Sequence, residues 1–179
     1  MQIEPQPSLI VRIDRHVLAI NRLLMIVSLA AMSVIVFASV TIRYASDYSI
    51  PWAEEVARYL MVWLTFLGVG PVMRLGGHVA VDTAQDGLPK NVGRAFRGAI
   101  MLMMGGFCVI VAWFGIAYVL RTLAQTTAVT EVSFAFVSAA VPVGFALAIW
   151  HLLAIVGGYV AERRFETSPD LDPDDAGAV

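Results

Sequence analysis

This sequence predicts an all-α membrane protein. It would have four transmembrane helices with amphipathic interfacial helical extensions, and both termini in the cytoplasm. Three observations predict it. Residues 23–42, 52–73, 99–120 and 134–156 form four apolar stretches, each near the ~20 residues a helix needs to cross ~30 Å of hydrocarbon. Apolar residues make up 59% of the chain and mean hydropathy is +0.76, above the ~45–50% apolar share of soluble domains. Finally, the chain has 12 Lys/Arg residues, and all but Arg43, Arg58 and Arg121 flank the stretches on one side. By the positive-inside rule that side is cytoplasmic. Because a bilayer offers unpaired amides no water, the stretches must be helices.

Residues 8–22 read as an amphipathic helix on the inner surface. Leu9, Ile13, Val17 and Ile20 recur at helical spacing, with Arg12, Arg15 and Arg22 as the polar side. The alternative is a plain extension of the first span. The first span carries no charge, starts near residue 23 and has no small-residue cleavage site in a polar flank, so it reads as retained rather than as a signal peptide.

The second span opens with Ser49 and Pro51, a helix-start pattern. Glu54 and Glu55 fall in its first turn, where negative charge suits the helix dipole. Glu54 and Arg58 are spaced i, i+4 in the favourable order, and Glu55 and Arg58 i, i+3. Trp52, Tyr59 and Trp63 form an interfacial aromatic belt. The bland reading of this cluster is capping charge plus interfacial anchors. Arg58 lies a turn or more into apolar sequence, a depth at which a charge usually meets a partner.

Gly76 and Gly77 end the second span, Asp86-Gly87 marks a turn, and Pro89 opens the third helix early. The third span is rich in Met and Gly and holds Cys108, the single cysteine, which excludes an intrachain disulfide. The connection at 121–133 is Thr-rich. In the fourth span Ala140, Gly144 and Ala148 recur at steps of four, a small-residue face for close helix contact, and Pro142 is expected to kink the helix. Residues 1–165 thus form one four-helix membrane domain, and the acidic, Pro-containing segment 166–179 reads as a disordered tail.

The spans hold no mid-membrane Asp, Glu or Lys, which argues against an ion-coupled carrier acting alone. The chain has no phosphate-binding Gly-rich loop, no CxxC and no HExxH. No enzyme activity, cofactor, metal or nucleic-acid partner is expected. His16, His78 and His151 all fall near the cytoplasmic face. Two of them in a haem- or quinone-binding anchor of a respiratory complex is one alternative function. A small exporter or channel, assembled as an oligomer, is another.

RY at 43–44, PWAEEVARYLMVWLTFLG at 51–68, RLGGHVAVD at 74–82 and VPVG at 141–144 resemble the small membrane subunit of TRAP (tripartite ATP-independent periplasmic) transporters, the DctQ type, over about residues 15–160. The resemblance implies a bacterial inner-membrane scaffold subunit. Its partners would be a large elevator-type TRAP membrane subunit, a periplasmic substrate-binding protein and membrane lipids, in sodium-coupled uptake of an organic anion such as a carboxylate. On that basis Trp52, Glu54, Glu55, Arg58, Trp63, Ala140, Gly144 and Ala148 are candidates for the scaffold interface. Arg74, His78 and Asp82 would fix the inner end of the second span. Asp47, Arg121 and Glu131 would face the soluble protein.

Overall fold

The structure is a computed structural model that describes residues 9–74 and 89–162. Five helices follow in order: α1 Leu9–Ser46, α2 Pro51–Arg74, α3 Lys90–Thr122, α4 Phe134–Ser138 and α5 Ala140–Glu162. The four segments Arg12–Ser46, Pro51–Arg74, Asn91–Thr122 and Phe134–Ala161 are long and apolar enough to cross a membrane. Each contains the core of a span predicted from sequence.

Residues 9–46 are one rod, so the separate surface helix expected at 8–22 is an extension of the first span instead. The 38 residues of α1 rise about 57 Å, nearly twice the ~30 Å hydrocarbon core. No Gly or Pro interrupts it. Asp47, at φ 51°, ends it with a left-handed residue of a type that tolerates that conformation.

Pro142 falls in the first turn of α5, where a missing N–H costs little. The break between α4 and α5 is confined to Ala139, whose own N–H still reaches Ala135 O at 2.9 Å. The expected kink is therefore a one-residue interruption.

The helices stand in a row rather than a closed bundle. α1 packs on α2, α2 on α5, and α5 on α3, with no comparable contact between α1 and α3 among the described residues. Within its apolar window α1 is only 6% buried, whereas the window around α5 is 39% buried. The central helix therefore holds the row together. Lipid is as apolar as Leu, so close backbone approach drives such contacts. A Cβ on Gly144 would lie 2.5 Å from Phe66 O, which shows how tightly α5 meets α2. Cys108, Phe145 and Ala148 form one buried cluster, and Met101, Leu152, Ile155 and Tyr159 a second toward the end of α5.

The row has two ends. The termini end carries the start of α1, the end of α2, the start of α3 and the end of α5. The hairpin end carries the short connections 47–50 and 123–133.

Candidate functional site

At the termini end, three helices converge on Arg74, which is 2% exposed. Its guanidinium is gripped by both carboxylate oxygens of Asp14, Nη1 to Oδ2 at 2.9 Å and Nη2 to Oδ1. Its Nε donates to His151 Nδ1 at 2.7 Å. Trp150 Nε1 donates to Asp14 Oδ1 at 3.1 Å. A buried guanidinium cannot discharge, so it requires acceptors, and here the first is a fork-to-fork carboxylate pair.

His151 is fully buried and also faces Asn21. A neutral imidazole accepts at one nitrogen only. The short contact claims Nδ1 for Arg74, which places the ring proton on Nε2. Asn21 Nδ2 lies 3.4 Å from that nitrogen and donates instead to Leu67 O at 3.1 Å. Asn21 Oδ1 is buried with no partner among the described residues. Exchanging the amide's N and O would give Nε2–H an acceptor and would remove the Leu67 bond. A Cβ on Gly70 would overlap the His151 ring, so only glycine lets the ring lie on α2 here.

At the hairpin end, Glu55 is the anchor. It accepts from Tyr59 Oη at 2.5 Å, Val129 N at 2.9 Å, Thr130 N at 3.2 Å and Thr130 Oγ1 at 2.6 Å. Three of these four donors, from Val129 and Thr130, tie the 123–133 connection to α2. The connection supports itself as well. Thr127 N–H donates to Val132 O at 2.9 Å, Thr127 and Thr130 share a hydroxyl bond at 2.9 Å, and Ser133 Oγ donates to Leu123 O at 3.0 Å. Glu131 sits at φ 53° at its tip.

Glu54 bonds Arg43 of α1 at 2.8 Å. The helical pairs that the spacing allows, Glu54 with Arg58 and Glu55 with Arg58, are not made. Glu54 meets Arg43 across the α1–α2 turn, Glu55 is consumed by the loop, and Arg58 is exposed with no ion pair among the described residues. Trp52 is half exposed at the start of α2. Trp63 packs on Phe136 with ring centroids 5.7 Å apart, and its Nε1 is buried with no partner among the described residues.

Ala140, Gly144 and Ala148 are buried, Gly144 against α2 and Ala148 beside Cys108 and Phe145. They are thus engaged within this chain. Asp47, Arg121 and Glu131 are exposed at the hairpin end. His78 and Asp82 lie outside the described residues, as does segment 166–179.

Sequence reasoning named Arg74 and His151 but missed Asp14 and Asn21. The signal was present: these two polar residues are seven apart, hence on one helix face, in a stretch where the arginines drew the attention. His16 makes a separate local contact to Arg12 O at 2.7 Å. Thus His16 and His151, two of the three histidines of the haem reading, are occupied apart from each other.

The chain is similar to known proteins along most of these helices. It is 39% identical over 80 residues to a TRAP transporter small permease protein of Haemophilus influenzae, covering 45% of this chain and 49% of that protein. It is 26% identical over 114 residues to the ectoine TRAP transporter small permease protein TeaB of Halomonas elongata, covering 64% of this chain and 59% of that protein. The matches thus span about half the length of these curated relatives. The family model for the DctQ component of tripartite ATP-independent periplasmic transporters matches residues 32–159. That range runs from mid-α1 to the last turn of α5 and takes in Arg74, His151 and the Glu55 anchor. The chain belongs to the DctQ family of TRAP transporter small membrane subunits.

Proposed function

We propose that this chain is the static scaffold of a three-part uptake system. It would enlarge and anchor a large elevator-type membrane subunit that moves an organic anion, such as a carboxylate, together with sodium. A soluble periplasmic protein would deliver the substrate at the hairpin end. The termini end, rich in arginine, would lie in the cytoplasm of a bacterial inner membrane.

The observation that carries the reading is the open row. A closed bundle hides its packing faces, whereas this row leaves apolar faces of α1 and α3 uncovered, including Phe37, Val34, Leu102 and Met103. All four spans lack charge at mid-depth, so the chain has no coupling group of its own in the hydrocarbon. A partner that supplies ion and substrate sites fits both facts. Arg58 and Trp52 would border the partner near the hairpin end. Arg74, with His78 and Asp82, would fix the inner end of α2. Asp47 and Glu131 would meet the soluble protein.

The test is affinity purification of this chain from native membranes in mild detergent, with mass spectrometry of what accompanies it. A large hydrophobic subunit in stoichiometric yield is the expected result. Reconstituted vesicles holding both subunits should then take up substrate only with the soluble protein and a sodium gradient. Uptake by this chain alone would overturn the proposal.

A further inference from the structure

We propose that the cleft between α3 and α5 at the hairpin end binds one anionic glycerophospholipid, its phosphate on Arg121 and an acyl chain laid down toward Val111. The cleft has a volume of about 600 Å³ and is lined by Val111, Phe114, Gly115, Tyr118, Arg121 and Val141 among others. Its floor lies where α3 and α5 meet closely, since a Cβ on Gly115 would stand 3.0 Å from Pro142 Cδ.

Two features select the occupant. Arg121 stands in the last turn of α3, exposed, with no hydrogen bond or ion pair among the described residues. Sequence grouped it with Asp47 and Glu131 as a docking residue, yet its place is the rim of an apolar cleft. A cation above an apolar slot matches an amphiphile with a negative head and a hydrocarbon tail. The second feature is length. The ten residues from Val111 to Arg121 rise about 15 Å, the depth of one leaflet in a ~30 Å core. Tyr118, one turn below Arg121 and half exposed, carries a hydroxyl near the ester level.

The test uses the full chain, purified in detergent and offered equimolar phosphatidylglycerol and phosphatidylcholine of matched acyl chains, read by native mass spectrometry. One retained phosphatidylglycerol per chain is expected, with about fivefold preference over phosphatidylcholine. Arg121→Gln should abolish the preference. Arg94→Gln, at the termini end, should leave it intact. Ala117 also lines the cleft, and Ala117→Phe, which fills the slot, should reduce retention of both lipids. Should Ala117→Phe fail to fold, Arg121→Gln alters one exposed side chain and decides the matter by itself. Equal retention of both lipids, or a preference unchanged by Arg121→Gln, overturns the proposal. Lipid retention unchanged while both variants lose a co-purifying membrane subunit would make the cleft a protein-docking groove and overturn it equally.

Discussion

Arg74 on α2 gives its Nε–H to Nδ1 of His151 on α5 at 2.7 Å, while its two Nη groups hold Asp14 of α1. One guanidinium therefore joins three of the four membrane-length helices. The charge is 2% exposed and its carboxylate partner 19% exposed. Asp14→Ala removes one bidentate acceptor from a cation that cannot discharge, and should cost roughly 1–3 kcal/mol of stability. Arg74→Met removes the bonds to Asp14 and to His151 together and should cost more. Thermal unfolding in a fixed detergent ranks the two, and a larger loss from Asp14→Ala than from Arg74→Met would contradict this account.

Gly144 and Gly106 face opposite surroundings. A Cβ at 144 would meet the backbone of Phe66 at 2.5 Å, whereas nothing lies within 4 Å at 106. Gly144→Ala should push α5 from α2 and destabilise by about 1–3 kcal/mol. Gly106→Ala should be neutral or stabilising by up to about 1 kcal/mol, from helix propensity. A cysteine crosslink between α2 and α5 checks the spacing directly.

The Glu55 carboxylate receives the amides of Val129 and Thr130. In Glu55→Gln an amide group turns donors toward donors. Hydrogen exchange at those two amides should accelerate, roughly tenfold. Exchange in mid-α5 should not change. Uniform acceleration along the chain would indicate global loosening instead.

Glu131 holds φ 53° without the short polar side chain that eases such a conformation for Asp or Asn. Glu131→Gly should relieve about 1 kcal/mol of strain, partly offset by unfolded-chain entropy. A small rise in melting temperature is expected, with the loop's exchange protection kept.

Arg58 is exposed and has no internal pair among the described residues, whereas Arg97 donates to Val160 O from Nε and Nη2 at 3.2 and 3.1 Å. Arg97 thus caps the end of α5. Arg58→Ala should reduce co-purification of the large subunit severalfold with the chain's own stability unchanged. Arg97→Ala should lower stability slightly and leave the complex intact. Equal yields from both would remove Arg58 from the interface.

Span number and rough limits were legible because hydrophobic length is a one-dimensional property. The continuity of α1 through residues 9–22 was not. An amphipathic stripe looks alike on a surface helix and on a rod whose polar face meets α2 and α5. Spacing found the acidic pair at 54–55 but not its partners. Arg43, Val129 and Thr130 reach it through a turn and a loop 11 to 75 positions away, and periodicity carries no signal at that range. The small-residue face was legible as a packing face, yet whether its neighbour is α2 or another chain is a tertiary fact.

A row of four helices, unlike a ring, has edges. At typical spacings of ~8–10 Å, three gaps set the axes of α1 and α3 at most about 24–30 Å apart, so the chain is a plate whose greatest width approaches the membrane's thickness. Nothing in the plate limits that width. A further helix laid against α1 would repeat the relation α1 has to α2, much as an open sheet accepts another strand. How many helices the finished assembly places side by side is therefore decided by whatever closes those two margins.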